Sequence, residues 1–278
     1  MGKSSKKSGK QSKKQLQKQI QATIKEANAQ KTLLDKLPST FLNIPLSLKS
    51  TTRVADTDED GKDQYKNEDA TTNDNDNNNT NDNNVATIQY IASPLSLSSN
   101  MLEQCLELFE INMGEMYKQS KWGLDMEAKR KELEHKDARF LVVLPSDTSI
   151  KSSELVPAEE DQHKSDNNTN PEQQVLGFAH FRYEPDDEDH PKIPTTYLYE
   201  LQVHPTVQGH GLGKKLMTLI ELISIKLQIK KILLTVFYMN KGAMSFYKKN
   251  KYDIDECSPS NFEGGEDCDY EILSKQLK

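Results

Sequence analysis

Apolar residues are scarce in this chain of 278 residues: only 34% are hydrophobic, and the mean hydropathy is −0.80. An ordinary globular domain is about 45–50% apolar when glycine is counted, so part of the chain has too little apolar surface to fold. No apolar run approaches the roughly 18 residues of a membrane span, and lysines stand where a secretory signal needs an apolar stretch. We therefore expect a soluble, intracellular protein.

Cysteine is almost absent. The three cysteines, Cys105, Cys257 and Cys268, have no close spacing, which excludes a disulfide framework and a Cys-x-x-Cys zinc site. A reducing compartment is the natural environment for such a chain, and no metal site is expected.

Charge is divided along the chain. Residues 1–49 hold eleven lysines against two acids and carry +9, whereas the formal net charge of the whole chain is −7. The Lys-rich start suits nuclear import, weak contact with nucleic acid, or a solvated tail with no partner. These three interpretations stay open at the level of sequence.

Two segments have low complexity. Residues 50–84 turn acidic and then repeat Thr, Asn and Asp, and residues 147–173 interrupt two strand-like runs with a similar polar composition. Neither segment can form a core. We predict a disordered basic tail and Asn/Asp-rich linker over residues 1–84, and one domain over residues 85–278 with a low-complexity insert at 147–173.

Within that domain the apolar spacing predicts alternating strands and helices. The predicted elements are a strand at 85–92, a helix that follows the caps at 98–100, a charged helix at 125–134, strands at 139–144, 175–183 and 197–203, a helix with the apolar face Leu216, Leu219, Ile220, Ile223 and Leu227, a strand at 231–237, a short helix at 242–249 and a strand at 269–273. This order favours an α/β fold with a mixed sheet flanked by helices.

The strongest chemical signal is the glycine-rich turn at residues 203–215, between a strand and a helix. Gly209, Gly211 and Gly213 allow a tight turn whose N–H groups converge beside a helix N-terminus, which is an anion-binding arrangement. A Walker A loop would need Gly at 208 and Ser or Thr at 215, and a Rossmann fingerprint would need Gly at 214 or 216. A tight turn without a ligand is the alternative.

Two blocks in this region resemble the GCN5-related N-acetyltransferases (GNAT). They are Gln208-x-x-Gly211-x-Gly213 and Asn240-x-x-Ala243-x-x-Phe246-Tyr247-x-Lys249-x-x-Tyr252. The resemblance implies the GNAT fold, acetyl-CoA as co-substrate, and a slot where strand 197–203 splays from strand 231–237. The residues it assigns to acetyl-CoA are Leu201, Gln202, Val203, Gln208, Gly209, His210, Gly211, Leu212, Gly213, Asn240 and Tyr247.

Residues 112–273 resemble more narrowly the N-terminal acetyltransferase D type (NatD), which acetylates the α-amine of histone H4 and of the 2A-type core histone. The matching pieces include Met116-Tyr117-x-Gln119-Ser120-x-Trp122-Gly123, Phe178-x-His180-Phe181-Arg182-Tyr183, Tyr197-x-Tyr199-Glu200 and Gly265-Glu266-Asp267-Cys268-x-Tyr270-Glu271. The chain departs from that type by its linker, by its insert, and by Gln208 where Arg is common. The departure at Gln208 leaves phosphate binding to backbone amides.

The NatD resemblance also implies roles for individual residues. Glu200 is the expected general base, acting through a water, because burial in an apolar strand would raise its pKa toward a useful value. Tyr199 and Tyr270 are the other expected catalytic residues, and Tyr247 ranks below Tyr270 as the acid for the leaving thiolate. The expected peptide-binding residues are Tyr117, Trp122, Glu184 and Tyr197.

Acidic residues at 184–189 and 266–269 are expected to attract a basic histone tail. Direct attack of the amine on the thioester needs positioning rather than a metal. The chain is thus expected to be a histone N-α-acetyltransferase of nucleus and cytoplasm, acting as a monomer without an auxiliary subunit. The alternatives are a GNAT enzyme acting on other protein N-termini or on a small polyamine, and a non-catalytic chromatin-binding module.

Overall fold

The structure, a computed structural model, describes residues 13–34, 42–45, 85–146, 174–187 and 191–278. The helices in these ranges are α1 (Lys13–Ala29), α2 (Ser99–Gln119), α3 (Met126–Leu133), α4 (Leu212–Lys226) and α5 (Lys241–Lys249). The strands are β1 (Asn43–Pro45), β2 (Val85–Ile91), β3 (Arg139–Pro145), β4 (Gly177–Pro185), β5 (Pro194–Val203), β6 (Lys231–Phe237), β7 (Asp253–Ile254) and β8 (Tyr270–Gln276).

All eight strands join one sheet in the order β1-β2-β3-β4-β5-β6-β8-β7. Every neighbouring pair is antiparallel except the central pair β5 and β6, which is parallel. The mixed α/β sheet flanked by helices is therefore confirmed, as is the predicted order of its main elements. Strands β1 and β7 were not predicted, since three and two residues are too short to show alternation.

The parallel pair at the centre of the sheet is short. Strands β5 and β6 pair only at Thr196 with Ile232, Tyr197 with Leu233 and Leu198 with Leu234. Beyond Leu198 the two strands separate, as the GNAT resemblance implied. The separation leaves the edge of β5 from Tyr199 to Val203 without a β6 partner.

A β-bulge in β5 lies at the start of this separation. On the β4 side, His180 is opposite Glu200 and Phe181 is opposite Leu198, so Tyr199 is the extra residue. An extra residue breaks the alternation of side chains along a strand. Tyr199 stacks on His180 with ring centroids 5.0 Å apart, and Glu200 on the same face reaches the α3 side chain Lys129. The bulge thus places two consecutive side chains on one face.

The helices form a layer on each face of the sheet. Helices α1, α4 and α5 cover the face that includes Phe181 and Leu198. Helices α2 and α3 cover the opposite face, where Phe140 and Phe178 are fully buried. The described helices and the sheet therefore enclose two apolar layers, one on each face of the central strands.

The N-terminal segment corrects one expectation. Helix α1 buries Ile20, Ile24 and Ala27 against the sheet, and Arg139 donates from Nη2 to the carbonyl oxygen of Asn28 at 3.0 Å. The prediction of a disordered tail is wrong for residues 13–34 and 42–45, because apolar residues at spacings of four and three form one helix face among many Lys and Gln. The rest of the predicted tail and linker, and the insert at 147–173, lie outside the described residues.

Among the helices in the described ranges, none has the length and apolar character that a bilayer span requires.

Candidate active site

The separation of β5 from β6 opens a cavity of about 320 Å³. Strand β5 lines it from Tyr197 to Gln202, strand β6 lines it from Thr235 to Phe237, and side chains of α2, α3 and α5 complete the wall. Side chains from five elements therefore converge where a backbone edge is exposed.

Glu200 lines the cavity and is 5% exposed. Its Oε1 accepts a hydrogen bond from Lys129 Nζ at 2.7 Å, and its Oε2 accepts one from Gln202 Nε2 at 2.7 Å. Burial raises the pKa of Glu200, while the ammonium group of Lys129 opposes that rise. Glu200 is the predicted base, and its position in the cavity suits that role.

Two cavity residues were missed by sequence reasoning, Lys129 and Glu132 of α3. Lys129 Nζ donates to Glu132 Oε1 at 2.8 Å as well as to Glu200. Helix α3 has the composition of a solvated helix, and nothing in its spacing separates the buried Lys129 from the exposed Lys131. Their place in the site follows from the packing of α3 over β5.

Asn112 of α2 is a third missed residue. Its Nδ2 donates to Gln202 Oε1 at 3.0 Å and to the carbonyl oxygen of Val203 at 3.1 Å. Gln208 Nε2 also donates to this Val203 carbonyl, at 3.0 Å. The Gln202 side chain links Asn112 to Glu200, and the Val203 carbonyl has two donors. Contact of Gln202 and Val203 with the cofactor stays a prediction.

Tyr199 and Tyr197 lie side by side on β5, with ring centroids 4.9 Å apart. The Tyr199 hydroxyl donates to Glu184 Oε1 at 2.9 Å, and the Tyr197 hydroxyl shares a hydrogen bond with Thr235 Oγ1. Burial raises the pKa of both phenols, so both remain protonated near neutral pH. Glu184, expected to bind substrate, contacts the site through Tyr199 and does not line the cavity.

An aromatic cluster, made of Tyr117, Trp122, Phe237 and Tyr270, borders the cavity mouth. The Trp122 ring lies 6.1 Å from Tyr117, 5.0 Å from Phe237 and 5.1 Å from Tyr270, centroid to centroid. Trp122 is 50% exposed, so an apolar surface faces solvent beside the cavity. Tyr270 contacts Trp122 but does not line the cavity that contains Glu200.

The loop that carries Trp122 is attached to the segment before β8. Asp269 Oδ2 accepts a hydrogen bond from the backbone N–H of Lys121 at 2.8 Å, and Lys121 Nζ donates to the carbonyl oxygen of Asp267. Asp269 was expected to belong to an acidic rim for the substrate. In the structure its carboxylate holds the Trp122 loop in place.

The glycine-rich turn has the backbone that its sequence predicts. Gly209 and Gly211 have φ of 82° and 80°, a conformation that other residues rarely adopt, and no atom lies within 4 Å of where a Cβ would stand on either. Gly211 caps α4 without a side-chain hydrogen bond, which leaves the first amides of the helix for a ligand. His210 contacts the Gln208 carbonyl, Leu212 is buried, and Gly213 packs against Phe246.

Asn240 and Tyr247 connect α5 to the cavity. Asn240 Oδ1 accepts a hydrogen bond from Ala243 N at 3.0 Å and so caps α5. Tyr247 is buried and lines the cavity, and burial together with the charge of Glu200 raises the pKa of its phenol. Tyr247 is therefore a protonated donor in the same cavity as Glu200.

These features together suit acetyl-CoA. The exposed edge of β5 can pair with the amides of a pantetheine arm, and the amides of the glycine-rich turn can hold a pyrophosphate. Across the described ranges, no group of three or more His, Cys, Asp and Glu side chains is arranged to hold a metal ion.

Comparisons with solved structures returned distant likenesses. One is a PaiA N-acetyltransferase from Thermoplasma acidophilum in complex with coenzyme A, at 16% identity over 69% of this chain and 99% of that chain, with a TM-score of 0.42. Another is Arabidopsis thaliana NAA60 in complex with a bisubstrate analogue, at 14% identity over 69% of this chain and 99% of that chain, with a TM-score of 0.45. A third is the NatC complex bound to Gag peptide and CoA, at 14% identity over 69% of this chain and 99% of that chain, with a TM-score of 0.40. At such identities none of them identifies a substrate of this chain.

The family comparison covers the site itself. Residues 120–252 match the model of the acetyltransferase (GNAT) family, a range that runs from the Trp122 loop through the separated strands to the end of α5. The matched range is just under half of the chain. Together with the mixed sheet, the separated central strands and the glycine-rich turn, the match supports an acetyl-CoA-dependent acetyltransferase of the GNAT type over residues 120–252.

Proposed function

We propose that the protein transfers acetyl from acetyl-CoA to the N-terminal α-amine of histone H4 and of the 2A-type core histone. One observation carries the proposal: Tyr117, Trp122, Tyr197, Tyr199 and Glu200, which the NatD resemblance assigns to the peptide entrance and the reacting centre, all line one cavity. Action in nucleus and cytoplasm, as a monomer, belongs to the same proposal.

The chemistry of an α-amine suits this cavity. An α-amine has a pKa of roughly 7.7–8.0, against about 10.4 for lysine, so a fraction is already unprotonated near neutral pH. A buried carboxylate such as Glu200 accepts the remaining proton, directly or through a water. Acetyl-CoA supplies the thioester that the amine attacks, and a protonated phenol, Tyr247 or Tyr270, supplies a proton to the leaving thiolate.

Charge supports a basic peptide as acceptor. The cavity wall holds one cation, Lys129, and two carboxylates, Glu132 and Glu200. Glu184 is partly exposed behind Tyr199. An excess of negative charge favours a cationic N-terminus over an acidic one.

The exposed face of the aromatic cluster around Trp122 gives the backbone of such a peptide a flat surface to pack on. Trp and Tyr serve well at such contacts because a large apolar body carries a polar tip. The first residue of the peptide would lie between these rings and Glu200.

The test is acetylation by the purified full chain, followed by mass spectrometry. Peptides beginning Ser-Gly-Arg-Gly should be acetylated at the α-amine, and faster than spermidine or peptides that begin with Met. The same peptide with a blocked α-amine is the matched control and should not be acetylated, even when it is extended to include lysines.

Three results would contradict the proposal. Preference for spermidine would indicate a polyamine acetyltransferase, and equal rates on Met-starting peptides would indicate a general N-terminal acetyltransferase. The absence of any acetyl transfer, with histone binding retained, would favour a chromatin-binding module.

A further inference from the structure

A buried lysine lies beside the expected base. Lys129 projects from α3 onto β5, its side chain is 8% exposed, and its Nζ lies 2.7 Å from Glu200 Oε1 and 2.8 Å from Glu132 Oε1. Both carboxylates line the cavity. The three side chains form a carboxylate–ammonium–carboxylate cluster, with the cation in the middle.

The surroundings hold the ammonium group in this position. Lys129 Nζ lies 4.6 Å from the ring centroid of Phe109 and 5.5 Å from that of Tyr117, at distances where an aromatic face stabilises a cation. The next residue, Arg130, forms a two-point contact with Glu103 at 2.7 and 2.6 Å. This contact joins α3 to α2.

Burial of an ionised group costs several kcal/mol unless opposite charges compensate it. Lys129 meets two carboxylates, and together they raise its pKa above the ordinary lysine value despite burial. Lys129 therefore stays cationic and cannot itself serve as the base. The positive charge of Lys129 acts on Glu200. Burial raises the pKa of Glu200, and the charge of Lys129 lowers it.

The other titratable groups facing Glu200 leave this role to Lys129. Burial keeps the pKa of His180, opposite Glu200 on β4, well below its ordinary value, so His180 is neutral. Burial raises the pKa of Tyr117 on α2 to about 12, and Tyr247 on α5 is protonated for the same reason. Glu132 is the nearby anion, and its negative charge raises the pKa of Glu200. Gln202, which carries no charge, donates a hydrogen bond to Glu200 Oε2.

We propose that Lys129 is a positioning residue for acetyl transfer: its ammonium group stabilises the carboxylate form of Glu200 and fixes Oε1, so that this carboxylate can accept the proton that the attacking amine loses. The inference rests on the proposed function, because it takes an amine as the acceptor of the acetyl group. The new N–C bond forms as the C–S bond breaks, one proton leaves the amine toward Glu200, and the thiolate takes one proton from a phenol.

The first test needs no substrate. Glutamate side chains labelled with ¹³C at Cδ would be titrated by NMR in the full chain, and Glu200 would be assigned by its absence in Glu200→Gln. In Lys129→Met the titration midpoint of Glu200 should rise by about one pH unit or more, since an opposite charge at this distance shifts a pKa by 1–3 units. Lys131→Met, which removes an exposed lysine from the same helix, should leave the midpoint unchanged.

A second variant covers the case in which Lys129→Met does not fold. Glu132→Gln removes the competing carboxylate, so the Glu200 midpoint should fall. An unchanged midpoint in the folded variants would overturn the inference.

Kinetics then separates positioning from a merely structural role. In Lys129→Met the acid limb of kcat/KM should move to higher pH, with KM for acetyl-CoA unchanged, and Lys129→Arg should restore part of kcat. If histone peptides prove not to be substrates but the NMR shift appears, the proposed acceptor is wrong and the role of Lys129 stands.

Discussion

At the scale of single residues, the environment of Glu200 decides what it can do. Burial raises the pKa of its carboxyl group, whereas the hydrogen bonds from Lys129 and Gln202 stabilise its ionised form. A base that is ionised but poorly hydrated can accept a proton without first losing a water shell.

Glu200→Gln tests this assignment. The substitution keeps the shape of the side chain and removes its ability to accept a proton, so kcat should fall by about 10²–10⁴-fold, the usual contribution of general base catalysis. Acetyl-CoA affinity, measured by calorimetry, should stay within about threefold because the exposed edge of β5 is unchanged. A loss of less than about tenfold would show that Glu200 is not the base.

The two candidate acids can be separated in the same assay. Tyr247 lines the cavity with Glu200, whereas Tyr270 packs on Trp122 at the mouth. We expect Tyr247→Phe to lower kcat by about 10²-fold and Tyr270→Phe mainly to raise KM for the peptide. The opposite pattern would restore Tyr270 to the first rank that the NatD resemblance gave it.

Residue identities in the site were predictable only where a motif carries them. Gly211 and Gly213, and the β5 residues Tyr197 and Tyr199, belong to motifs whose spacing can be recognised in the sequence. Lys129 and Asn112 were missed because a polar residue in a helix indicates a solvated face, and its burial depends on how that helix packs on a distant strand.

At the scale of elements, the bulge in β5 has the largest effect on the site. Regular alternation would send Tyr199 and Glu200 to opposite faces, and one of them would then lie under α4 rather than in the cavity. A bulge depends on register with β4 rather than on the residues of β5 alone. The predicted strand was therefore correct, while the directions of its side chains were not available from the sequence.

The Trp122 loop provides a prediction at the same scale. Asp269→Ala removes the acceptor for Lys121 N, a hydrogen bond to a charged group in an exposed position worth about 1 kcal/mol. KM for the peptide should rise about fivefold with little change in kcat, and trypsin should cleave faster after Lys121.

Asp267→Ala is the matched control for that loop. Its side chain is exposed, and its contribution to Lys121 comes from the backbone carbonyl, which alanine keeps. Equal effects of the two variants would show that the Asp269 carboxylate does not hold the loop.

At the scale of the whole molecule, the divided charge has a partial explanation. The basic start is not wholly separate from the acidic remainder, because α1 packs on β4 and β5 through an apolar face while its lysines face solvent. Mean hydropathy concealed this helix, since three buried residues in seventeen scarcely change an average.

Ile20→Ala tests the structural role of α1. Ile20 is 2% exposed, so its truncation should lower the free energy of unfolding by about 2–5 kcal/mol. Gln21→Ala, an exposed neighbour on the same helix, should change it by less than about 0.5 kcal/mol. Thermal unfolding of the two variants measures the difference, and equal melting temperatures would mean that α1 does not contribute to the core.

The three residue pairs between β5 and β6 have one more consequence. They are the backbone pairing that joins the five strands on the β1 side of the sheet to the three on the β8 side. A ligand that hydrogen-bonds along the separated edges completes the sheet and resists the parting of these halves. Occupancy of the slot should therefore protect amides from hydrogen exchange along the whole length of both central strands, including residues that never touch the ligand.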